Sequence, residues 1–348
     1  MATGLCISTL VVLCAEFGLR AAGFGPSPER FRWVAHPLLQ AVPAPNQDTW
    51  FCKDSTTTGE RRLPLHINAF GQRGGDFPLE KSAGERRVLV VGDSLTFGQG
   101  VLDDQSWPAQ LGAQLRDTTQ AEGTAVHWRA INAGVNGWTA WHYQRYVETQ
   151  APRFEPDVVV VGLYFGNDML PPPDLGGPPA WLENALRCTA LYDWTTRFYL
   201  ARLSSRGQAI RRGDPSSNAQ AEIERYVGVR ESQLLPREQR KLWSLVTLPA
   251  LESMRAACAQ RGATFVCLLI PTPILACGQI SSEAYELLKA AVERASITVV
   301  DPLPALSALG ENAWLPWDPG HLSVAGNACL ARTVLAAVLA APADPRER

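Results

Sequence analysis

The sequence predicts an α/β fold in which a central parallel sheet of about five strands lies between two layers of helices. Five short apolar runs are strand-like, and segments with helical periodicity occupy much of the chain between them. Strands that alternate with helices are typical of a parallel sheet covered on both faces. The predicted strands are residues 87–91, 129–132, 158–164, 264–270 and 298–300, and the last helix is predicted from about His321 to Leu339.

The chain divides into an N-terminal segment, a lead-in, a main domain and a tail. Residues 1–23 are largely apolar. Residues 24–64 are rich in Pro, Trp and polar residues without a sustained period and are predicted to be a connector wrapped on the main domain, and the connector and lead-in together span residues 24–84. The main domain is predicted at 85–340, followed by a tail at 341–348. It includes a helical insertion at about 169–262, which is expected to shape specificity or to be a packing subdomain remote from the site.

Composition is that of an ordinary enzyme domain. The 348 residues could bury one large core or two small ones, and the hydrophobic fraction of 46% is normal for a globular protein. The 32 basic residues are balanced by 34 acidic ones, and the sequence contains no lysine–arginine stripe. Nucleic acid is therefore not expected as a partner. The oligomeric state is left open.

Motifs for nucleotides, metals and one common hydrolase fold are absent from the sequence. There is no G-x-x-x-x-G-K-[ST] loop and no G-x-G-x-x-G after a strand-like run. The five histidines form no ligand-spaced pair. The G-x-S-x-G elbow of α/β-hydrolases also fails, because Thr96 stands where its second glycine would be. Neither a cofactor nor a metal is predicted.

A serine at the end of the first predicted strand is the candidate nucleophile. Ser94 lies in G-D-S-L, where the strand meets a helix, so its hydroxyl is expected at the carboxyl edge of the sheet beside backbone N–H groups. Serine needs a base to remove its proton, and the base must be oriented by a third group. Asp318 and His321 are three residues apart and are predicted to meet on one helical turn. This combination predicts a serine esterase.

Two further loops are predicted at the same edge of the sheet, and both carry hydrogen-bond donors. N-A-G-V-N-G ends at Gly137, and F-G-N-D contains Asn167. Acyl transfer develops negative charge on the carbonyl oxygen, which preset donors must receive. The predicted donors are the N–H groups of Ser94 and Gly137 and the amide of Asn167. Asp93 is predicted to support the nucleophile turn, and Asp168 to hold Asn167 in place.

The four blocks G-D-S-L, N-A-G-V-N-G, G-N-D and D-x-x-H occur in the order of the SGNH hydrolases, also called the GDSL family, which the chain resembles over about residues 66–340. The resemblance implies a flavodoxin-like three-layer α/β/α sandwich. Carried over by motif, it implies Ser94 as the nucleophile, Gly137 and Asn167 as oxyanion donors, and Asp318 and His321 as the rest of the triad.

Substrate and acceptor are less well defined by the sequence. Four tryptophans flank the motif loops, where their faces could stack on a sugar ring, namely Trp138, Trp141, Trp314 and Trp317. The expected substrate is a small ester or an acylated surface glycan, with acetyl as one candidate acyl group. An O-acetyltransferase acting on a surface polysaccharide would use the same residues, and a non-catalytic glycan-binding protein is the third alternative. His142 is a rival base, but it has no carboxylate at triad spacing.

The N-terminal segment is expected to be a membrane anchor or a signal. The run at 5–15 is apolar apart from Ser8 and Thr9, and Glu16 and Arg20 follow it. It is shorter than the roughly 20 apolar residues of a spanning helix and lacks the charged start of a signal peptide. The alternatives are a buried helix, and a true start that lies upstream with part of an anchor absent. Because anchored members of the family carry a similar segment, we expect an extracytoplasmic enzyme that is membrane-anchored or secreted.

Overall fold

The computed structural model describes most of the main domain and parts of the N-terminal region. The described residues are 2–22, 31–53, 61–166, 168, 189–191, 194–195, 243–316 and 318–342. Most of the predicted insertion at 169–262 lies outside them, as do Asn167, Trp317 and the last six residues of the tail.

The described elements alternate between strands and helices through the main domain. The strands are β1 (Trp33–His36), β2 (Gln40–Pro43), β3 (Gln47–Lys53), β4 (Arg61–Ile67), β5 (Glu85–Gly92), β6 (His127–Gly134), β7 (Val158–Tyr164), β8 (Thr264–Ile270), β9 (Thr298–Val300), β10 (Trp314–Leu315) and β11 (Asp318–Leu322). The α-helices are α1 (Ala2–Ala21), α2 (Ser94–Phe97), α3 (Trp107–Ala121), α4 (Ala140–Thr149), α5 (Leu248–Ala259), α6 (Pro273–Ala276), α7 (Glu283–Arg294), α8 (Leu303–Leu309) and α9 (Val324–Leu339).

Strands β5 to β9 form a parallel sheet in the order β6-β5-β7-β8-β9. Every residue of β5 and of β7 is buried, as expected for central strands that helices cover on both faces. The five strands coincide with the five predicted runs, and each predicted end is within two residues of the observed one. The prediction of a five-stranded parallel sheet is confirmed.

Two apolar cores lie on opposite faces of the sheet. Leu89 and Val91 of β5 belong to a core to which α4, α5 and α7 contribute. Val88 and Val90, which point the other way because strand side chains alternate, belong to a core built with α3 and α9. The molecule is therefore the predicted three-layer α/β/α sandwich, and the carboxyl ends of its strands meet at one edge.

Residues 24–84 contain regular structure that the sequence analysis missed. Strands β1 and β2 pair as one antiparallel hairpin, and β3 and β4 pair as another. Proline interrupts the period-2 pattern in two of these strands, at Pro43 and Pro64. After β4, the Arg73 N–H donates to the Asn132 carbonyl at 3.2 Å and so ties this region to β6. Within the described residues, the predicted connector thus contains two hairpins and contacts the sandwich.

The N-terminal segment forms α1, whose apolar side chains are largely exposed. Leu10, Val11, Leu13 and Phe17 each expose 60% or more of their surface. The carboxylate of Glu16 accepts hydrogen bonds from the backbone N–H groups of two residues in the insertion, Ala190 at 2.8 Å and Leu191 at 3.0 Å. Within the described ranges, no helix combines the length and apolar character needed to cross a membrane.

Candidate active site

Ser94 is the first residue of α2 and follows β5 directly. The Asp93 carboxylate caps this helix by accepting a hydrogen bond from the Leu95 N–H at 2.9 Å. A Cβ at Gly134 would collide with the backbone nitrogen of Phe97, so the glycine at the end of β6 allows α2 to lie directly against the sheet. These contacts fix the serine at the carboxyl edge, where it was predicted.

The structure brings Ser94, His321 and Asp318 into one hydrogen-bonded chain. His321 Nε2 lies 2.8 Å from Ser94 Oγ, and His321 Nδ1 lies 2.7 Å from Asp318 Oδ2. The predicted helical turn is wrong, because both residues lie on β11, which pairs with β10 as an antiparallel ribbon. Pro319 and Gly320, the two residues between Asp318 and His321, disfavour a helix there. The helix α9 begins only at Val324, after Ser323 as its N-cap.

Electrostatics favour a charged carboxylate beside the imidazole. Burial raises the pKa of Asp318, but the charge and hydrogen bond of His321, together with hydrogen bonds from Gln99 and the Gly320 N–H, outweigh it and hold the pKa below its ordinary value. Burial lowers the pKa of His321, but Asp318 and the nearby charge of Asp93 outweigh that effect and raise it. The His321 imidazole is therefore a stronger base than an ordinary histidine side chain.

Asp93 is a second carboxylate that acts on His321. Its side chain is 1% exposed, and burial raises its pKa to about 6, against the opposing effects of the Leu95 N–H and the charge of His321. Asp93 is predicted to support the nucleophile turn, and its carboxylate accepts the hydrogen bond of the Leu95 N–H in that turn. Its proximity to His321 adds an electrostatic effect that the sequence did not predict.

The predicted oxyanion donors are described in part. Gly137 is exposed, with a φ of +80°, and a Cβ there would meet open space, so its backbone can approach a ligand. Neither the Ser94 nor the Gly137 N–H finds an acceptor among the described residues. Asn167 lies outside those residues, so its role remains a prediction.

Asp168 lies on the loop after β7 and is fully buried. Its carboxylate accepts a hydrogen bond from the Tyr164 N–H at 2.6 Å and another from the Tyr143 hydroxyl at 2.8 Å. Its carbonyl accepts from the Ala140 N–H at the start of α4, at 3.3 Å. These contacts attach Asp168, the residue after Asn167 in the sequence, to β7 and α4.

The predicted rim of tryptophans is wrong for two of its four members. Trp138 and Trp314 are only 3% and 5% exposed, because each joins one of the two apolar cores, where its large surface is removed from water. Trp141 is half-buried, with the Arg145 guanidinium 3.4 Å from its ring centroid. Trp317 lies outside the described residues.

His142 is a packing residue rather than a second base. It is 2% exposed, its ring stacks on Trp138, and its Nδ1 accepts a hydrogen bond from the Thr139 N–H at 3.1 Å. Burial lowers its pKa to about 4, with a further contribution from Arg145. His142 is thus kept neutral at the start of α4.

Two polar residues at the site were missed by the sequence analysis. Gln99 Nε2 donates to Asp318 Oδ2 at 3.3 Å and lies 3.4 Å from His321 Nδ1, and Asn136 Nδ2 donates to Gln99 Oε1 at 2.6 Å. Gln99 follows the G-D-S-L block, in F-G-Q-G, and Asn136 stands inside N-A-G-V-N-G; at such positions an amide is more often a turn residue. Only the folded chain brings them together. Among the described residues, no group of three or more His, Cys, Asp or Glu could hold a metal.

A serine hydroxyl bound to an imidazole that a carboxylate orients is the arrangement of the serine hydrolases. The chain belongs to the GDSL-like lipase/acylhydrolase family, whose sequence model matches residues 90–329. That span contains Ser94, Gly137, Asp318 and His321. Family and site together define the protein as an enzyme that hydrolyses ester bonds.

Solved structures similar to this chain include those of TesA, EstA and Axe2. TesA is 17% identical, with 73% of this chain and 98% of that chain covered and a TM-score of 0.41. The esterase EstA from Pseudoalteromonas is 12% identical, with 73% and 97% covered and a TM-score of 0.40. A variant of Axe2, an acetyl-xylooligosaccharide esterase from Geobacillus, is 16% identical, with 72% and 93% covered and a TM-score of 0.40. None of the curated protein sequences compared with the chain matches it.

Proposed function

We propose that the enzyme cleaves its ester through Ser94 as nucleophile, His321 as general base and then acid, and Asp318 as the group that orients the imidazole. The observation that supports this is the unbroken hydrogen-bond chain of 2.8 Å from Ser94 to His321 and 2.7 Å from His321 to Asp318. In this state Asp318 accepts the Nδ1 proton, which leaves the Nε2 lone pair directed at the serine hydroxyl.

The reaction then follows in two steps. Ser94 Oγ forms a bond to the carbonyl carbon as its proton passes to His321 Nε2, and the leaving alcohol takes that proton when its C–O bond breaks. Water next attacks the acyl-enzyme and gives a proton to His321, which returns it to Ser94 Oγ as the acid leaves. The N–H groups of Ser94 and Gly137 and the Asn167 amide are proposed to receive the charge on the carbonyl oxygen.

Activity is expected to fall as pH drops through the pKa of His321, because only the neutral imidazole accepts the serine proton. The raised pKa places this acid limb of kcat/KM above the ordinary value of 6.5 for histidine. The charge of Asp93 contributes to that rise, so Asp93→Asn should move the acid limb to lower pH while retaining the N-cap, since asparagine also caps helices. The measurement is a pH profile of kcat/KM for both proteins. An unchanged acid limb would show that Asp93 does not act on His321 electrostatically.

For the substrate we propose a short acyl ester, such as an acetyl ester, on a surface glycan. Of the four tryptophans that flank the motif loops, Trp141 follows Gly137 closely and is half-exposed. The face of its ring that does not bear the Arg145 guanidinium could stack on a sugar. Because Trp138 and Trp314 are buried, the tryptophans proposed to stack on the sugar are Trp141 and Trp317.

The acceptor of the acyl group is tested by product analysis. We expect the purified protein to release acetate from p-nitrophenyl acetate at the same rate with and without glycan oligomers, because water needs only to reach His321 beside the acyl-serine. Mass spectrometry follows acetate and acetylated oligomer together. Acetylated oligomer that accumulates while free acetate stays low would instead identify an O-acetyltransferase.

We also propose that the enzyme is extracytoplasmic and that α1 holds it at a membrane. The exposed apolar residues of α1 support this, since burying such side chains in an interface is favourable. Fractionation of cells that produce the full chain is the test, with Leu13→Ser and Phe17→Ser expected to reduce the membrane-bound share. Wild-type protein that remains in the cytoplasmic fraction would contradict both parts of the proposal.

A further inference from the structure

Two amide side chains link the carboxylate of the site to the loop of Gly137. Asn136 Nδ2 donates to Gln99 Oε1 at 2.6 Å, and Gln99 Nε2 donates to Asp318 Oδ2 at 3.3 Å. We call this pair of residues, Gln99 and Asn136, the amide bridge. Gln99 follows Ser94 by five positions, and Asn136 immediately precedes Gly137. The bridge therefore joins the segments that carry Ser94, Gly137 and Asp318.

The direction of the hydrogen bonds in the bridge is set by the carboxylate. An ionised Asp318 only accepts, so Gln99 must turn its NH₂ group towards it, and the Gln99 carbonyl then faces the other way. That carbonyl needs a donor, which the NH₂ group of Asn136 provides. Reversing Gln99 would place an amide oxygen against the carboxylate. The Asn136 oxygen is buried and has no partner within the described part of the chain, so the bridge ends there.

Among the described residues, few groups restrain the Asp318 carboxylate. Its side chain is 36% exposed, and the groups that bind it are His321, Gln99 and the Gly320 N–H. Gln99 and His321 both bind Oδ2, the oxygen that must stay against the imidazole. Rotation of the carboxylate would break both hydrogen bonds together. Gln99 is thus placed to prevent that rotation.

The loop that carries Gln99 is itself held rigidly. The Gln99 N–H donates to the Ser94 carbonyl at 3.0 Å. Arg73, which is buried, donates to three carbonyls of this loop at 2.6 to 2.8 Å, those of Phe97, Gly98 and Val101. Arg73 also forms an ion pair with Asp103, with 2.6 Å between Nε and Oδ1. The backbone of Gln99 is therefore fixed from two sides, so its side chain can act as a positioning group.

We propose that Gln99 is a positioning residue that holds Asp318 Oδ2 against His321, and that Asn136 keeps Gln99 in the orientation this requires. The inference rests on the proposed function, since it assigns Asp318 to the orientation of the imidazole. Gln99 acts after the substrate is bound, when proton transfer to His321 places positive charge beside Asp318. Its loss is expected to lower kcat rather than to raise KM.

The first test replaces Gln99 by leucine, which has a similar size but makes no hydrogen bond. We expect kcat to fall by about 10- to 100-fold with little change in KM, because a poorly oriented imidazole slows proton transfer. The matched control is Gln144→Leu, which removes another glutamine bound to a carboxylate, that of Glu148 at 2.9 Å on the surface of α4. The control should retain wild-type kcat.

The second variant, Gln99→Glu, keeps the shape and the acceptor for Asn136 but puts a carboxylate oxygen next to Asp318. The added negative charge should raise the pKa of His321, so the acid limb of kcat/KM should move to higher pH. That shift reports how close position 99 lies to His321. The positioning role is tested by kcat on the plateau above the acid limb, which should fall because the new carboxylate oxygen repels Asp318 Oδ2 and cannot donate to it. If Gln99→Leu does not fold, as judged by thermal unfolding, this plateau kcat of Gln99→Glu is the deciding measurement.

The role of Asn136 is tested with Gln99→Leu in a double-mutant cycle. We expect Asn136→Leu to lower kcat less than Gln99→Leu does, and the double variant to lose no more than Gln99→Leu alone. Covalent labelling of the wild type by a fluorophosphonate separates this inference from the proposed function. If the wild type is labelled and active while both Gln99 variants match the control in kcat and pH profile, the positioning role is wrong and the serine mechanism stands.

Discussion

Replacement of Ser94 by alanine is expected to abolish hydrolysis of a short p-nitrophenyl ester, with a loss of roughly 10³- to 10⁶-fold in rate. Without the hydroxyl there is no nucleophile 2.8 Å from His321 Nε2 to form the acyl-enzyme. The fold should be retained, because the Asp93 cap on α2 binds the Leu95 N–H and does not use the serine side chain. The measurements are kcat for the ester, covalent labelling by a fluorophosphonate, and circular dichroism.

A matched serine variant controls for the loss of a hydroxyl elsewhere. Ser253 lies on α5, where its hydroxyl donates to Glu148 at 2.6 Å. Ser253→Ala should keep wild-type labelling and turnover, whereas Ser94→Ala should lose both. If the fluorophosphonate does not label the wild-type protein, Ser94 is not an activated nucleophile. A non-catalytic glycan-binding role would then be the better explanation of the site.

The sheet could be predicted from the sequence because its strands are buried on both faces. Such strands are continuous apolar runs, and Val158–Tyr164 and Thr264–Ile270 are bounded in the structure as in the prediction. Ser94 and Gly137 could be located for a related reason, since residues that directly follow parallel strands lie at the same edge. The predicted proximity of these segments follows from topology alone.

The local structure around His321 could not be predicted in the same way. A spacing of three residues brings two side chains together on a helix, and a ribbon interrupted by Pro319 and Gly320 achieves the same contact. The amide bridge depends on contacts between residues 37 and 219 positions apart. The burial of Trp138 and Trp314 could not be predicted from the sequence either, because both residues lie beside loops in the chain and yet pack inward.

Asp318→Asn is expected to lower kcat by about 10³- to 10⁴-fold with a smaller change in KM, although the substitution only replaces a carboxylate by an amide of equal size. Asp318 accepts the Nδ1 proton of His321 at 2.7 Å, which leaves Nε2 free to take the proton of Ser94. An asparagine amide would donate to Nδ1, and the ring proton would then move to Nε2, where it faces the serine and blocks its activation. Steady-state kinetics and the rate of fluorophosphonate labelling are the measurements, with the exposed Asp117→Asn as a control that should match the wild type. Wild-type kcat in Asp318→Asn would mean that another group sets the tautomer of His321, with Asp93, whose charge also acts on His321, as the candidate.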